Sequence, residues 1–236
     1  MAKEIHDEVA YYYDFYPTEE DLMGDNSVHL DLMIYLLLVL RWLFHDQQCA
    51  VYGNLNFYQT SDPQENPVVP DVAVIKGVEY QDRQSWSIGR TGPAPQVVFE
   101  IASPKTWLLN DLQEKPRRYA RMGVQEYFAY DPNERPILKE RPQRLFGWRL
   151  DPLRGEMREM PLRPDGSLWS IHLKSFLVPD GKYLRLYDQS RNMRLTKEEA
   201  ETNRAEAEAN RAKAEAKRVA ALAEKLRSLG IDPDQL

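Results

Sequence analysis

Apolar residues fall into one near-continuous block, Leu32 to Leu40, then into short β-type runs, and finally thin out into a tail of Ala, Glu, Lys and Arg. The block follows Ser27, a good N-cap residue, and predicts a helix through about Phe44 whose mostly apolar composition implies burial on several sides. The runs Ala50 to Tyr58 and Val68 to Ile75, separated by the polar stretch Thr60 to Asn66 with its Pro63, predict a hairpin. Residues 76 to 95 hold Gly77, Gly89, Gly92, Pro93 and Pro95 around Trp86 and read as a long irregular loop. Pro95 then leads into the apolar run Val97-Val98-Phe99-Glu100-Ile101-Ala102.

Beyond Pro104, a helix is expected from about Asp111 to Met122, ended by Gly123, and a strand from Val124 to Tyr130 stopped by Asp131-Pro132. A strand, helix and strand of this length make a crossover unit with parallel strands and a right-handed connection. The later runs Leu145 to Leu150, Met157 to Leu162 and Tyr183 to Tyr187 are expected to extend the same sheet as a meander. The fold class is mixed α/β, a mixed central sheet flanked by helices. From Leu195 to Arg227 there is no Gly or Pro, so one long C-terminal helix follows. Within it Thr202, Ala209, Ala216 and Ala223 interleave with Ala205, Ala212, Val219 and Leu226 as an a/d seam would. That seam is mostly alanine, so homo-oligomerisation through a coiled coil would be weak, and a solvated single helix is the other reading.

The domain plan is an acidic arm over residues 1–26, a core over 27–190 and a helical tail over 195–236. Formal net charge is −6, but residues 1–31 alone carry −8, which leaves the rest at +2. Acidity therefore does not exclude a nucleic-acid partner, because a basic cluster at Lys115, Arg117, Arg118 and Arg121 stands apart from it. The longest apolar stretch is about half of the ~20 residues that a bilayer span needs, so no membrane partner is expected. One cysteine, Cys49, cannot form an internal disulfide, and no secretory leader is recognisable, so a cytoplasmic location is expected.

Two acids stand out against this background. Asp71 heads an apolar run, Val68-Val69-Pro70-Asp71-Val72-Ala73-Val74-Ile75, and Glu100 lies inside another. A lone carboxylate taken out of water costs several kcal/mol or neutralises itself. Two of them in hydrophobic strands point to a shared ligand, most simply a divalent cation. His6, His29, His45 and His172 show no zinc-type spacing and read as surface or satisfied core histidines. No phosphate-cradling glycine loop and no Gly-x-Ser-x-Gly elbow is present.

The order of elements, with Val69-Pro70-Asp71-Val72, then Phe99-Glu100-Ile101-Ala102-Ser103-Pro104 and Thr106, then Asp111, Lys115 and Tyr119, then Gly123-Val124-Gln125-Glu126-Tyr127-Phe128 ending in Asp131-Pro132, resembles the PD-(D/E)XK nuclease-like superfamily. Within it, the chain is similar to the Uma-type restriction endonuclease domain family, and the Ala-Glu-rich tail ending Leu226-Arg227-Ser228-Leu229-Gly230-Ile231-Asp232-Pro233 extends the likeness. The resemblance implies a restriction-endonuclease-like core and metal-dependent hydrolysis of nucleic acid, DNA being the expected substrate. It also implies that Asp71 and Glu100 hold Mg2+ or Mn2+; the alternation of side chains along a strand adds the Ile101 backbone carbonyl as a candidate further ligand.

One position departs from the superfamily pattern. Its lysine follows the glutamate by two residues, where this chain has Ala102. Lys115 is the best replacement, as the residue that orients or activates the attacking water; Pro116 after it removes one helical hydrogen bond unless it sits in the first turn, so the helix is expected to begin late or kink there, and Lys105 is a second candidate. Arg117, Arg118 and Arg121 would contact phosphates. Blander readings stand beside these: Asp71 as a turn residue or an acceptor of backbone hydrogen bonds, Glu100 in a structural ion pair with Arg118 or Arg121, Asp111 as an N-cap, Lys115 and its neighbouring arginines as a solvated helix face, and Tyr119 and Tyr127 as core-edge aromatics. The expected function is a metal-dependent endonuclease. The alternative is a nuclease-fold protein with a degenerate site, acting as a binding or assembly module through its C-terminal helix.

Overall fold

A computed structural model describes residues 27–59, 66–102, 107–133 and 143–228, with the backbone alone described at 107–110. The acidic arm 1–26, the loop 60–65, the segment 103–106 with Lys105, and the end of the tail at 229–236 lie outside the described residues. The chain divides between Arg194 and Leu195 into two units.

In the first unit, helix α1 (Ser27–Leu43) precedes strands β1 (Cys49–Gly53), β2 (Asn56–Tyr58), β3 (Val72–Lys76), β4 (Ser85–Ser87) and β5 (Val97–Ile101). A π-helix (Trp107–Glu114) runs into helix α2 (Lys115–Met122), followed by β6 (Glu126–Tyr130), β7 (Leu145–Asp151), β8 (Glu156–Glu159), β9 (Leu168–Ser170), β10 (Ser175–Asp180) and β11 (Tyr183–Tyr187). The second unit contains helix α3 (Lys197–Ser228). Thr196 caps it: its hydroxyl accepts the Glu199 N–H at 3.2 Å and the Glu199 carboxylate accepts the Thr196 N–H at 2.8 Å. Among the described residues no helix is long and apolar enough to cross a membrane.

The central sheet is mixed, in the order β1-β3-β5-β6-β7-β8. Its one parallel pair is β5 with β6, as the strand, helix and strand pattern demands. Both faces of β3, β5 and β6 are covered, which is why these strands read as near-continuous apolar runs. One face, with Val72, Val74, Val97, Phe99 and Ile101, packs on Leu32, Leu36 and Leu40 of α1 and on Leu177, Leu184 and Leu186 of the small sheet β11-β10-β9. The other, with Ala73, Val98, Ala102 and Ala129, packs on Tyr119 and Met122 of α2, on Trp86 and on Trp148.

Several expectations are corrected. The runs 50–58 and 68–75 do form the expected hairpin, antiparallel from Cys49–Lys76 to the Phe57–Val68 bridge in one register, but β2 within the first run also pairs in parallel with β4. The segment 76–95 is therefore not all irregular, since β4 places Trp86 in the core, where its Nε1–H donates to the Pro93 carbonyl at 3.0 Å. The run Tyr183–Tyr187 does not extend the central sheet but pairs with β10 in the separate three-stranded sheet. Helix α1 is buried on one side only; Leu30, Ile34 and Leu38 are 45%, 44% and 40% exposed.

Buried Glu126, at the start of β6, ties the small sheet to the central one. It accepts from Arg149 Nη2 at 2.8 Å, Ser170 Oγ at 2.6 Å and the backbone N–H groups of Ile171 and His172 at 3.1 and 3.2 Å. Gly147 makes the join possible, since a Cβ there would lie 2.6 Å from Leu168 and 2.9 Å from Phe128.

Candidate metal and nuclease site

The site grows from the geometry of β3 and β5. They pair antiparallel with Val72 opposite Phe99, and continuing that register by one residue sets Asp71 opposite Glu100. Residues directly opposite share a face, so two acids 29 positions apart in sequence become neighbours for a reason built into the ladder. The Asp71 carboxylate closes the open end of the ladder, where Oδ2 accepts the Ile101 N–H at 2.6 Å. Its other oxygen, Oδ1, lies 3.1 Å from Nε2 of His29 in the first turn of α1. A carboxylate acts only as an acceptor, so this ring nitrogen carries the hydrogen.

Glu100 is held from the crossover. Oε2 lies 2.7 Å from Lys115 Nζ, and Oε1 accepts the Tyr119 hydroxyl. Lys115 also reaches Asp111 Oδ1 at 2.8 Å, so one ammonium is gripped by two buried carboxylates. The π-helix explains how Lys115 can aim at Glu100 despite Pro116. The chain enters in π geometry and α2 begins at Lys115, which leaves Pro116 in the first turn, where no N–H is needed. The Tyr127 hydroxyl donates to the Asp111 carbonyl at 2.7 Å and anchors the turn on β6.

At its far end α2 is closed by Gly123 at φ +80°, with Gly123 N–H donating to the Ala120 carbonyl at 3.0 Å and Val124 N–H to the Tyr119 carbonyl at 3.1 Å. This is the Schellman pattern, and it turns the chain directly into β6. Pro116, Tyr119 and Met122 form the buried side of α2. Arg117 and Arg121 are exposed, and at about 100° per residue Arg117 lies some 200° around the helix from Lys115. Arg118 donates to the Asn66 carbonyl.

Burial dominates the electrostatics. The Glu100 carboxyl is pushed up to about 8, first by desolvation and then by the charges of Asp71 and Asp111, with Lys115 pulling the other way. Lys115 is pushed upward by Glu100 and Asp111, which outweigh its own desolvation. The Tyr119 and Tyr127 phenols are held well above their ordinary value by burial and by Glu100. Glu100 and Asp111 thus share one ammonium in a buried setting with Asp71 close by, an arrangement short of positive charge.

The structure therefore brings Asp71, Glu100, Ile101 and Lys115 together and leaves the exposed arginines on another side of α2. It gives Glu100 the ion-pair partner Lys115, in place of Arg118 or Arg121. Asp111 pairs with Lys115 through its side chain, in place of serving as a simple N-cap. Two further participants read in sequence as bystanders: His29 as a surface or satisfied core histidine and Tyr119 as a core-edge aromatic. The signal for Tyr119 was its i, i+8 spacing from Asp111 on one helix face. For His29 it was a lone polar residue at the head of an apolar helix.

The donor set suits a hard cation. Among the described residues no three His, Cys, Asp or Glu side chains are grouped so as to hold a metal ion unaided. Mg2+ does not need such a cage, since one or two carboxylates, waters and substrate phosphate are its usual shell. Each carboxylate oxygen offers about two lone-pair directions, so the protein contacts of Asp71 and Glu100 do not exhaust them.

Comparison with known proteins gives a family and a fold neighbour. The family model Uma2, described as "Putative restriction endonuclease", matches residues 21–173. Among solved structures the chain is similar to "a putative nuclease belonging to DUF820" from Anabaena variabilis ATCC 29413, at 16% identity, over 63% of this chain and 75% of that one, with a TM-score of 0.44. No curated protein matches the chain significantly.

Proposed function

Because the chain belongs to the Uma2 family, we propose that it is a nuclease that uses Mg2+ or Mn2+ to hydrolyse phosphodiester bonds of nucleic acid, with DNA as the expected substrate. The observation that carries this reading is geometric: the β3–β5 register sets Asp71 opposite Glu100, and Lys115 lies 2.7 Å from Glu100 and 2.8 Å from Asp111. A divalent cation would be drawn to this group of carboxylates.

Asp71 and Glu100 are the carboxylates that would hold the cation. The Ile101 carbonyl is a third donor, because N–H and C=O of one strand residue point to the same edge and the Ile101 N–H already meets Asp71. A bound cation supplies charge neutralisation at the phosphate and activation of water. Lys115, held between Glu100 and Asp111, replaces the lysine that Ala102 lacks: its ammonium orients the water and stabilises charge on the phosphate. The Tyr119 hydroxyl fixes the Glu100 rotamer. Arg117 and Arg121, on another side of α2, would hold phosphates that flank the scissile one.

Asp71→Asn and Glu100→Gln keep the shape of each side chain and remove its charge. Each should abolish metal-dependent cleavage and weaken Mn2+ binding measured by calorimetry, with the fold intact by circular dichroism. Full cleavage by either variant would remove that residue from the mechanism. Absence of Mn2+ binding at millimolar concentration would overturn the metal reading and favour the degenerate binding module.

A further inference from the structure

Helix α1 packs Leu32, Leu36 and Leu40 against the central sheet, yet opens with a histidine buried to 6% exposure. Burying an imidazole costs free energy unless its polar atoms are satisfied, and a purely structural helix start could have used an apolar residue here. The side chain reaches 42 positions along the sequence to Asp71, with Nε2 3.1 Å from Oδ1. Asp71 is thereby held by two elements. The β5 backbone holds Oδ2 through Ile101 N–H at 2.6 Å, and α1 holds Oδ1 through His29. Two anchors on two oxygens define the carboxylate plane, whereas the Ile101 bond alone would leave it free to rotate about χ2.

We infer that His29 is a positioning residue: its Nε2–H fixes the plane of the Asp71 carboxylate so that the remaining lone pairs face the cation site beside Glu100. The inference rests on the metal-site reading of Asp71 and Glu100. Hydrogen-bond partners of ligating carboxylates orient the ligand and raise metal affinity, and their loss costs about 10- to 100-fold.

The test compares two amides that differ by one methylene. In His29→Gln the terminal nitrogen can occupy the place of Nε2 and still donate to Asp71. In His29→Asn the amide ends near the place of Nδ1 and falls short. Mn2+ dissociation constants are measured by electron paramagnetic resonance at one fixed pH on the full chain, alongside metal-free unfolding midpoints. The expected result is about a 10- to 100-fold weaker Mn2+ affinity for His29→Asn and a value within about threefold of the wild type for His29→Gln. Rescue by the longer amide is what a merely structural histidine would not show. Wild-type affinity in His29→Asn, or equal loss in both variants, would overturn the role of His29 while leaving the metal site standing. Failure of the wild-type protein itself to bind Mn2+ would overturn the metal reading and this inference with it. If His29→Asn does not fold, His29→Leu of similar volume serves as the non-donating variant, with the same expected loss.

Discussion

Glu100→Gln should make the metal-free protein more stable, and by an amount that grows with pH. The carboxyl is 3% exposed, and its proton is held up to about 8 against an ordinary value of 4.5. At 1.36 kcal/mol per pH unit, that difference corresponds to a ceiling of about 5 kcal/mol. The native state binds this proton more tightly than the unfolded chain does. The support that Glu100 lends to folding is therefore fully present below about pH 4.5, declines as pH rises, and is lost above about 8. Glutamine never ionises, so its stability lacks this slope. The attraction of Lys115, 2.7 Å from Oε2, is already part of the balance, and relaxation around the ionised group will trim the ceiling to about 3–5 kcal/mol. Urea unfolding of both proteins in EDTA, at half-unit steps from pH 4 to 9, measures the difference while other titrating groups cancel. Near-equality at pH 4, a rise through pH 8 and a plateau above it are expected. A difference independent of pH, or one that shrinks as pH rises, would refute the idea that desolvation governs this carboxylate.

Other outcomes follow from the same geometry. Tyr119→Phe removes the hydroxyl that donates to Glu100 in a buried setting and should cost about 1–3 kcal/mol in urea unfolding, with a loss below a few tenths counting against the contact. Lys115→Met leaves Glu100 and Asp111 without the ammonium they share; it should abolish cleavage while Mn2+ binding by calorimetry persists, and retained cleavage would point away from Lys115 as the missing cation. Gly123→Ala forces a side chain into φ +80° at the end of α2 and should destabilise by about 1–2 kcal/mol, although the nearest neighbour of the new Cβ, Ala94 at 3.6 Å, is at ordinary contact distance. An unchanged unfolding midpoint would show that the cap is not needed.

The acids of the site were legible because buried strands rarely carry them. Asp71 and Glu100 each interrupt an apolar run, and the cost of hiding a carboxylate makes such an interruption informative without any coordinates. Lys115 was legible as a substitute for Ala102 only as a direction to look, since its aim depends on where α2 begins. The π-helix that removes the Pro116 difficulty has no simple apolar period to announce it. His29 reads in sequence only as a surface or satisfied core histidine, because its partner lies on another element and a lone histidine in a helix carries no spacing signal.

Local pattern by itself determined α1, the strands β3, β5 and β6, the parallel crossover through α2, and the long helix α3, because each is specified by a period or a terminator within a dozen residues. The tertiary structure alone decided which faces are covered. The same chemistry that predicts a strand at Tyr183–Tyr187 serves either sheet, and only packing against α1 and pairing with β10 place it in the smaller one. The apolar block of α1 reads alike on all sides, yet the sheet covers only one and leaves Leu30, Ile34 and Leu38 exposed. The joining of Asp71 to His29, and of Glu100 to Lys115, is likewise a matter of register and crossing between distant elements, which sequence periodicity does not encode.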